Sequence, residues 1–146
     1  PNIIVHELEE GRALETANGL TATAFKVDHY PLEMPFGFRF DTKDKSVAFS
    51  GDTCPSENLI KHTRGVDILV HECTEYTKWT NPEIDESHKV KTHTHPDLLG
   101  LVARDVKPGL LVASHLMPRS IPKELRRMIG ANYDGPTVIG EDLMTG

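Results

Sequence analysis

Val47-Ala48-Phe49-Ser50-Gly51-Asp52-Thr53 is the stretch on which the fold turns. A run of strand character ends in a glycine turn and then a carboxylate. The same arrangement recurs twice. Ile68-Leu69-Val70 runs into His71-Glu72-Cys73-Thr74, and Leu110-Leu111-Val112-Ala113 runs into Ser114-His115. Each is a short apolar strand ending in residues that hold metals or move protons. In open α/β sheets, ligands collect outside the carboxyl ends of the strands. If these strands are parallel neighbours, Asp52, His71, Glu72 and His115 face one edge. His29 follows another strand in the same manner. His93 precedes a helix that leads back to the His115 strand.

Upstream of Val47 the chain reads as a β meander. Residues 3–9 suggest a strand, and Glu10-Gly11-Arg12 a turn. Residues 20–27 alternate as a strand. Pro31 and Pro35 make residues 28–35 a loop. Residues 36–40 and 46–50 form two more strands around a polar hairpin turn at 42–45. Downstream, helices and strands alternate. Residues 55–64 form a short helix with Ser56 as its cap candidate, and 67–71 a strand. Residues 75–92 are polar and aperiodic, a surface loop. Residues 96–106 place Leu98, Leu99, Val102 and Val106 on one helical face behind Pro96. Residues 110–114 and 137–139 are strands flanking a helix at 122–129. The expectation is an α/β chain, with residues 1–146 forming one unit.

Composition bounds the function classes. A chain of 146 residues has the size of one ordinary domain. With 38% hydrophobic and 26% charged residues it suits a globular protein rather than a disordered one. No apolar run reaches the roughly 18 residues of a membrane span. No basic and then apolar opening suggests a secretion signal. Cys54 and Cys73 are too few for a disulfide scaffold and are expected to be reduced, in a cytoplasmic protein. Lys and Arg number 16 against 22 Asp and Glu, a net charge of -6. That lacks the basic footprint of a nucleic-acid binder. There are eight histidines, so position must decide which of them matter.

The chemistry favours a divalent metal. Zinc takes imidazole nitrogen and carboxylate oxygen, and a catalytic site keeps one position open. One aspartate can bridge two metals that clamp the attacking and leaving oxygens. Metal-bound histidines need an acceptor for the other ring nitrogen, which Glu72 and neighbouring Ser and Thr side chains can offer.

The series Val27-Asp28-His29, Phe36-Gly37-Phe38-Arg39, Phe49-Ser50-Gly51-Asp52-Thr53, Leu69 to Thr74, His93-Thr94-His95 and Ser114 to Arg119 resembles the metallo-β-lactamase superfamily. The resemblance is to its ribonuclease Z and arylsulfatase-like branch, and it spans roughly residues 3–144. It implies His29 as a ligand of one metal, Asp52 as the bridging aspartate and His115 as a ligand of the second metal. It implies His93 as the general acid, Glu72 as the residue orienting it, and Arg119 beside an anionic substrate group. It also implies two divalent ions, zinc foremost, per complete site.

The departures are informative. The family's His-x-His-x-Asp-His motif belongs before His29, and no window of this chain contains it. The string His93-Thr94-His95-Pro96-Asp97-Leu98 lies after Asp52 and ends in leucine. The long arm that grips transfer RNA in ribonuclease Z has only a short turn in its place. The resemblance therefore implies the C-terminal half of an αββα sandwich, a mixed β-sheet with helices on one face. The N-terminal half is not on this chain.

Two functions remain open. In one, the chain is a metal-dependent hydrolase, or the catalytic half of one, whose metal-bound hydroxide attacks a phosphodiester, sulfate ester or acyl centre of a small anionic ester. Its partner is then a complementary N-terminal half, and nucleic acid and membrane are set aside. In the other, a non-catalytic half-domain self-associates as a homodimer or pairs with another polypeptide to cover its exposed sheet face.

Overall fold

The computed structural model describes residues 7–75 and 92–145. Seven strands form one sheet: β1 (Gly11–Glu15), β2 (Thr21–Lys26), β3 (Phe36–Asp41), β4 (Ser46–Phe49), β5 (Ile68–Glu72), β6 (Leu110–Ser114) and β7 (Thr137–Ile139). The described residues also include the helices α1 (Glu57–Thr63), α2 (Pro96–Val106) and α3 (Pro122–Gly130). Strand order in space follows strand order in the chain.

β1 to β4 pair antiparallel. β4 to β7 pair parallel. Connection length explains the switch. The Thr42 amide donates to the Lys45 carbonyl at 2.8 Å, closing a tight hairpin that returns β4 beside β3. After β4 each connection contains a helix, and a parallel crossover needs that length.

The helices cover one sheet face. Ala48, Leu69 and Leu111 are aligned across β4, β5 and β6 and are fully buried. They join Phe25, Leu59, Leu99, Leu125 and Ile129 in one core. Fully burying a side chain of this size contributes about 1.5–3 kcal/mol. α2 begins with Pro96 at its first turn, where a missing N–H costs nothing. It stops at Lys107, whose left-handed backbone returns its N–H to the Ala103 carbonyl. A Cβ on Gly100 would lie 2.5 Å from the Ile129 carbonyl oxygen, so α2 and α3 pack closely only with glycine there.

The other face is apolar but lies outside this core. Phe38, Phe49, Val70, Val112 and Val138 are in register across it. Phe49 keeps 43% of its surface exposed and Ile68 37%. The Phe40 ring stands edge-on to Phe49 at 6.0 Å. Among the described residues no helix covers this face. Strands β4 to β7 are near-continuous apolar runs, the composition of strands buried on both sides.

Three sequence expectations are modified, and a fourth lies mostly outside the described residues. The strand read at residues 3–9 lies partly outside the described residues, and residues 7–9 have no regular structure. Glu10-Gly11-Arg12 is not a turn, because β1 begins at Gly11, whose φ of +129° suits glycine. A bulge between Arg12 and Leu14 hides the alternation that would have revealed this strand. Ser56 does sit at the start of α1, but its side chain makes no capping bond. Most of the loop read at 75–92 lies outside the described residues. No helix among the described residues is long and apolar enough to cross a membrane.

Candidate active site

Because β4, β5 and β6 are parallel, the segments that carry Asp52, Glu72 and His115 leave the sheet at one edge. Asp52 is set by the turn before it. Gly51 has φ +63°, and a Cβ there would lie 2.7 Å from the Phe36 carbonyl oxygen. Only glycine satisfies both demands. The next residue ties the His29 loop to this turn. The Thr53 hydroxyl accepts from the Asp28 amide at 3.1 Å, and the Cys54 amide donates to the Asp28 carbonyl at 2.8 Å.

Glu72 is the hub. It is 2% exposed, so its carboxylate must be satisfied internally. Its Oε1 accepts from the Thr53 amide at 3.0 Å, the Thr94 amide at 3.2 Å and His93 Nδ1 at 2.8 Å. The Thr94 hydroxyl donates to the Thr53 carbonyl at 2.7 Å. One carboxylate thus holds together the turns that carry Asp52 and His93. The hydrogen bond to Glu72 holds the His93 pKa above the usual imidazole value, against the opposing effect of burial.

His115 has φ +52°, uncommon for a residue with a side chain and characteristic of functional sites. Its ring stacks on His93 with centroids 5.2 Å apart. Its Nε2 lies 3.7 Å from Asp52 Oδ2. His29 meets His93 edge-on at 4.9 Å, and its Nδ1 donates to the Thr92 carbonyl at 2.5 Å. A ring nitrogen spent on a carbonyl leaves the other with its lone pair, the form in which imidazole binds metal.

Two groups bring potential ligand atoms within 4.8 Å of one another: His29, Asp52 and His93, and Glu72, His93 and His115. His93 is common to both. The residues singled out from the sequence therefore converge, but as two overlapping triads rather than one. Glu72 already carries four hydrogen-bond partners and acts as a scaffold. The remaining imidazole and carboxylate donors match the chemistry of a divalent cation.

Other candidates lie outside these two groups. Arg119 is exposed on the turn from Met117 to Ser120 and makes no ion pair among the described residues. His95 precedes α2 and pairs with Asp97. His71 is buried on the helix side, where burial lowers its pKa and its Nδ1 donates to the Glu72 carbonyl at 2.7 Å. His62 is partly buried and stacks on Phe25 at 5.2 Å. Cys54 and Cys73 are free thiols. Burial, with Glu72 and Glu75 nearby, pushes the Cys73 thiol up to about 12, too high for a ready thiolate ligand. Sequence reasoning named Ser and Thr neighbours as orienting groups without choosing among them. Among the described residues the structure selects the Thr74 hydroxyl, beside His115 Nδ1 at 3.2 Å, while Thr53 and Thr94 act on Glu72 through their backbone amides; the spacing of His71-Glu72-Cys73-Thr74 was the available signal.

A family model described as the beta-lactamase superfamily domain matches residues 1–116. Ribonuclease Z of Mycobacterium tuberculosis is 29% identical over 147 residues, covering 98% of this chain and 54% of that protein. The crystal structure of the metallo-beta-lactamase fold protein YhfI from Bacillus subtilis superposes with a TM-score of 0.68 at 22% identity, over 84% of this chain and 47% of that one. Human tRNase Z, short form, gives 0.64 at 20% identity, over 91% of this chain and 43% of that one. The chain spans about half the length of the curated relatives it matches.

Proposed function

Since the chain belongs to the metallo-β-lactamase superfamily, we propose that it is the catalytic C-terminal half of a metal-dependent hydrolase. The observation that carries this reading is the buried Glu72 carboxylate, which fixes His93 between His29, Asp52 and His115. His29, Asp52 and His115 are the residues that would hold two divalent ions, zinc foremost, with Asp52 shared. Such ions supply Lewis acidity and an activated water at neutral pH.

The chain's own groups do the rest. The Nδ1–H of His93 is committed to Glu72, so the other ring nitrogen is the one that delivers a proton to a leaving oxygen. The raised pKa keeps His93 cationic to higher pH, which suits a general acid. Arg119, on its exposed turn, steadies the anionic group of the substrate through its forked N–H donors.

The substrate class is a phosphodiester, with sulfate ester and acyl centres as further candidates. Nucleic acid belongs among the phosphodiesters, because the matched M. tuberculosis relative is named ribonuclease Z. The charge of -6 argued otherwise, but it belongs to this chain alone. The surface contributed by a missing half is not counted in it.

The apolar sheet face is the seat of that half. An N-terminal layer carrying His-x-His-x-Asp-His would bury Phe38, Phe49 and Val70 and complete the ligand set. A second reading has the same observation behind it: two copies of this chain bury the face against each other as a non-catalytic dimer.

The test is complementation. This chain is mixed with or fused to a polypeptide bearing His-x-His-x-Asp-His, then assayed with zinc on bis-p-nitrophenyl phosphate and on an RNA. The expected result is zinc-dependent hydrolysis that Asp52→Ala reduces at least about 100-fold, the scale of losing a catalytic group. Activity indifferent to Asp52→Ala overturns the catalytic reading. A metal-free symmetric dimer with no hydrolysis supports the second.

A further inference from the structure

Thr74 is 1% exposed, and its hydroxyl lies within hydrogen-bond distance of three polar atoms. Glu72 Oε2 is at 3.2 Å, His115 Nδ1 at 3.2 Å and the His115 carbonyl at 3.3 Å. A hydroxyl has one proton to give and two lone pairs to offer. Glu72 Oε1 is already served by two backbone amides and His93. Glu72 Oε2 has Thr74 as its partner among the described residues. Leaving a buried carboxylate oxygen without a donor costs more than leaving a carbonyl or a ring nitrogen to solvent, and His115 is exposed. The Thr74 proton therefore goes to Glu72 Oε2. What Thr74 then shows to His115 Nδ1 is a lone pair, and Nδ1 must carry the hydrogen to meet it.

We infer that Thr74 is a positioning residue: it relays the hold of the buried Glu72 carboxylate to His115 and fixes that imidazole with its proton on Nδ1, leaving Nε2 as the ligand atom beside Asp52. The inference rests on the proposed function for its purpose but not for its geometry. It gives Glu72 two tasks at once, orienting His93 directly and His115 through one hydroxyl. It also explains why a threonine stands two residues after the glutamate. Thr74 lies two residues past the end of β5, and from there its hydroxyl reaches back to the Glu72 carboxylate at 3.2 Å. Valine at 74 would keep the shape and remove the relay. Serine would keep the relay and lose a methyl group.

The test is read on the full chain without metal. Long-range nitrogen–proton NMR spectra of 15N-labelled protein distinguish the two neutral imidazole tautomers. The same spectra separate both neutral forms from the cationic ring, so the tautomer is read where the His115 signals themselves show a neutral imidazole. His115 is expected as the Nδ1–H form in the wild type and in Thr74→Ser. In Thr74→Val it is expected to move toward the Nε2–H form, with the backbone amides of β5 and β6 in place. Zinc affinity, measured by competition with a chromophoric chelator, should fall about 10–100-fold in Thr74→Val and recover in Thr74→Ser, the range for losing an outer partner of a metal-bound histidine. An Nε2–H form of His115 in the wild type overturns the inference, and that measurement needs no variant to fold. So does an unchanged tautomer in a folded Thr74→Val. Failure of the complementation assay leaves the tautomer result standing, so the two readings fail separately.

Discussion

The two faces of the sheet are cut from the same strands, and neighbouring residues meet opposite fates on them. Leu69 is fully buried under the helices, while Ile68 beside it is 37% exposed on the other side. Ala48 is fully buried, and Phe49 beside it is 43% exposed. The difference lies in what each face is given to pack against, since both are apolar. Helices α1, α2 and α3 all lie on the Leu69 side. A sheet patterned for burial on both sides is covered by helices, among the described residues, on one side alone, which is the observation behind the proposed second layer.

The comparison breaks most severely if the covered face proves tolerant. Leu111→Ala should cost about 2–5 kcal/mol, because a fully buried site collapses only partly around the cavity. Urea denaturation of the isolated chain measures this, and a cost below about 1 kcal/mol would mean that the two faces are alike.

A smaller effect belongs to the edge where both faces end. Gly51→Ala places a Cβ against the Phe36 carbonyl in a left-handed turn. We expect a loss of about 1–3 kcal/mol, with chemical-shift changes at Asp52 and Thr53. A neutral result would mean that the turn before Asp52 is not under this constraint.

On the uncovered face, Phe49→Ser should change the stability of the isolated chain by no more than about 0.5 kcal/mol, as for other surface sites. The same variant should weaken complementation by a second half at least tenfold. Equal complementation by the variant and the wild type would show that this face is not where the second layer sits.

The smallest effect concerns the turn joining the two kinds of pairing. Asp67 binds Lys45 Nζ at 2.8 Å and the Ser46 amide at 2.9 Å, and these hold its carboxyl at about 2, below the ordinary 3.8. A depressed folded value stabilises above the ordinary pKa, and the contribution disappears as pH falls through about 2. The melting temperature of Asp67→Asn should therefore lie slightly below wild type at neutral pH. The gap should close on acidification and narrow in high salt, since the pair is partly exposed. A gap that widens in acid would reverse the sign of this argument.

Much of this architecture was legible in the sequence because its signals are local. The apolar runs at 47–49, 68–70 and 110–113 end where the polar motifs begin, and the sheet repeats that order. β1 was not legible, since a bulge removes its alternation and pairing with β2 alone defines it. His62 was not, because its stacking partner Phe25 is far away in the chain. At the candidate site, the proximity of Asp52, Glu72, His93 and His115 was to be expected from motif order. That His93 would sit between His29 and His115 was not, nor that Thr74 would bridge Glu72 to His115.

By itself, the sequence determined which side chains are available at each strand end, and that each polar motif follows directly on an apolar strand. Those are properties of chain order and side-chain type. Only the tertiary structure decided which atoms meet. Parallel pairing of β4, β5 and β6 brings residues more than forty positions apart to one edge, and a single buried carboxylate then has to be satisfied there. Which hydrogen bonds satisfy it depends on distances of tenths of an ångström, set by how the layers pack rather than by the order of residues along the chain.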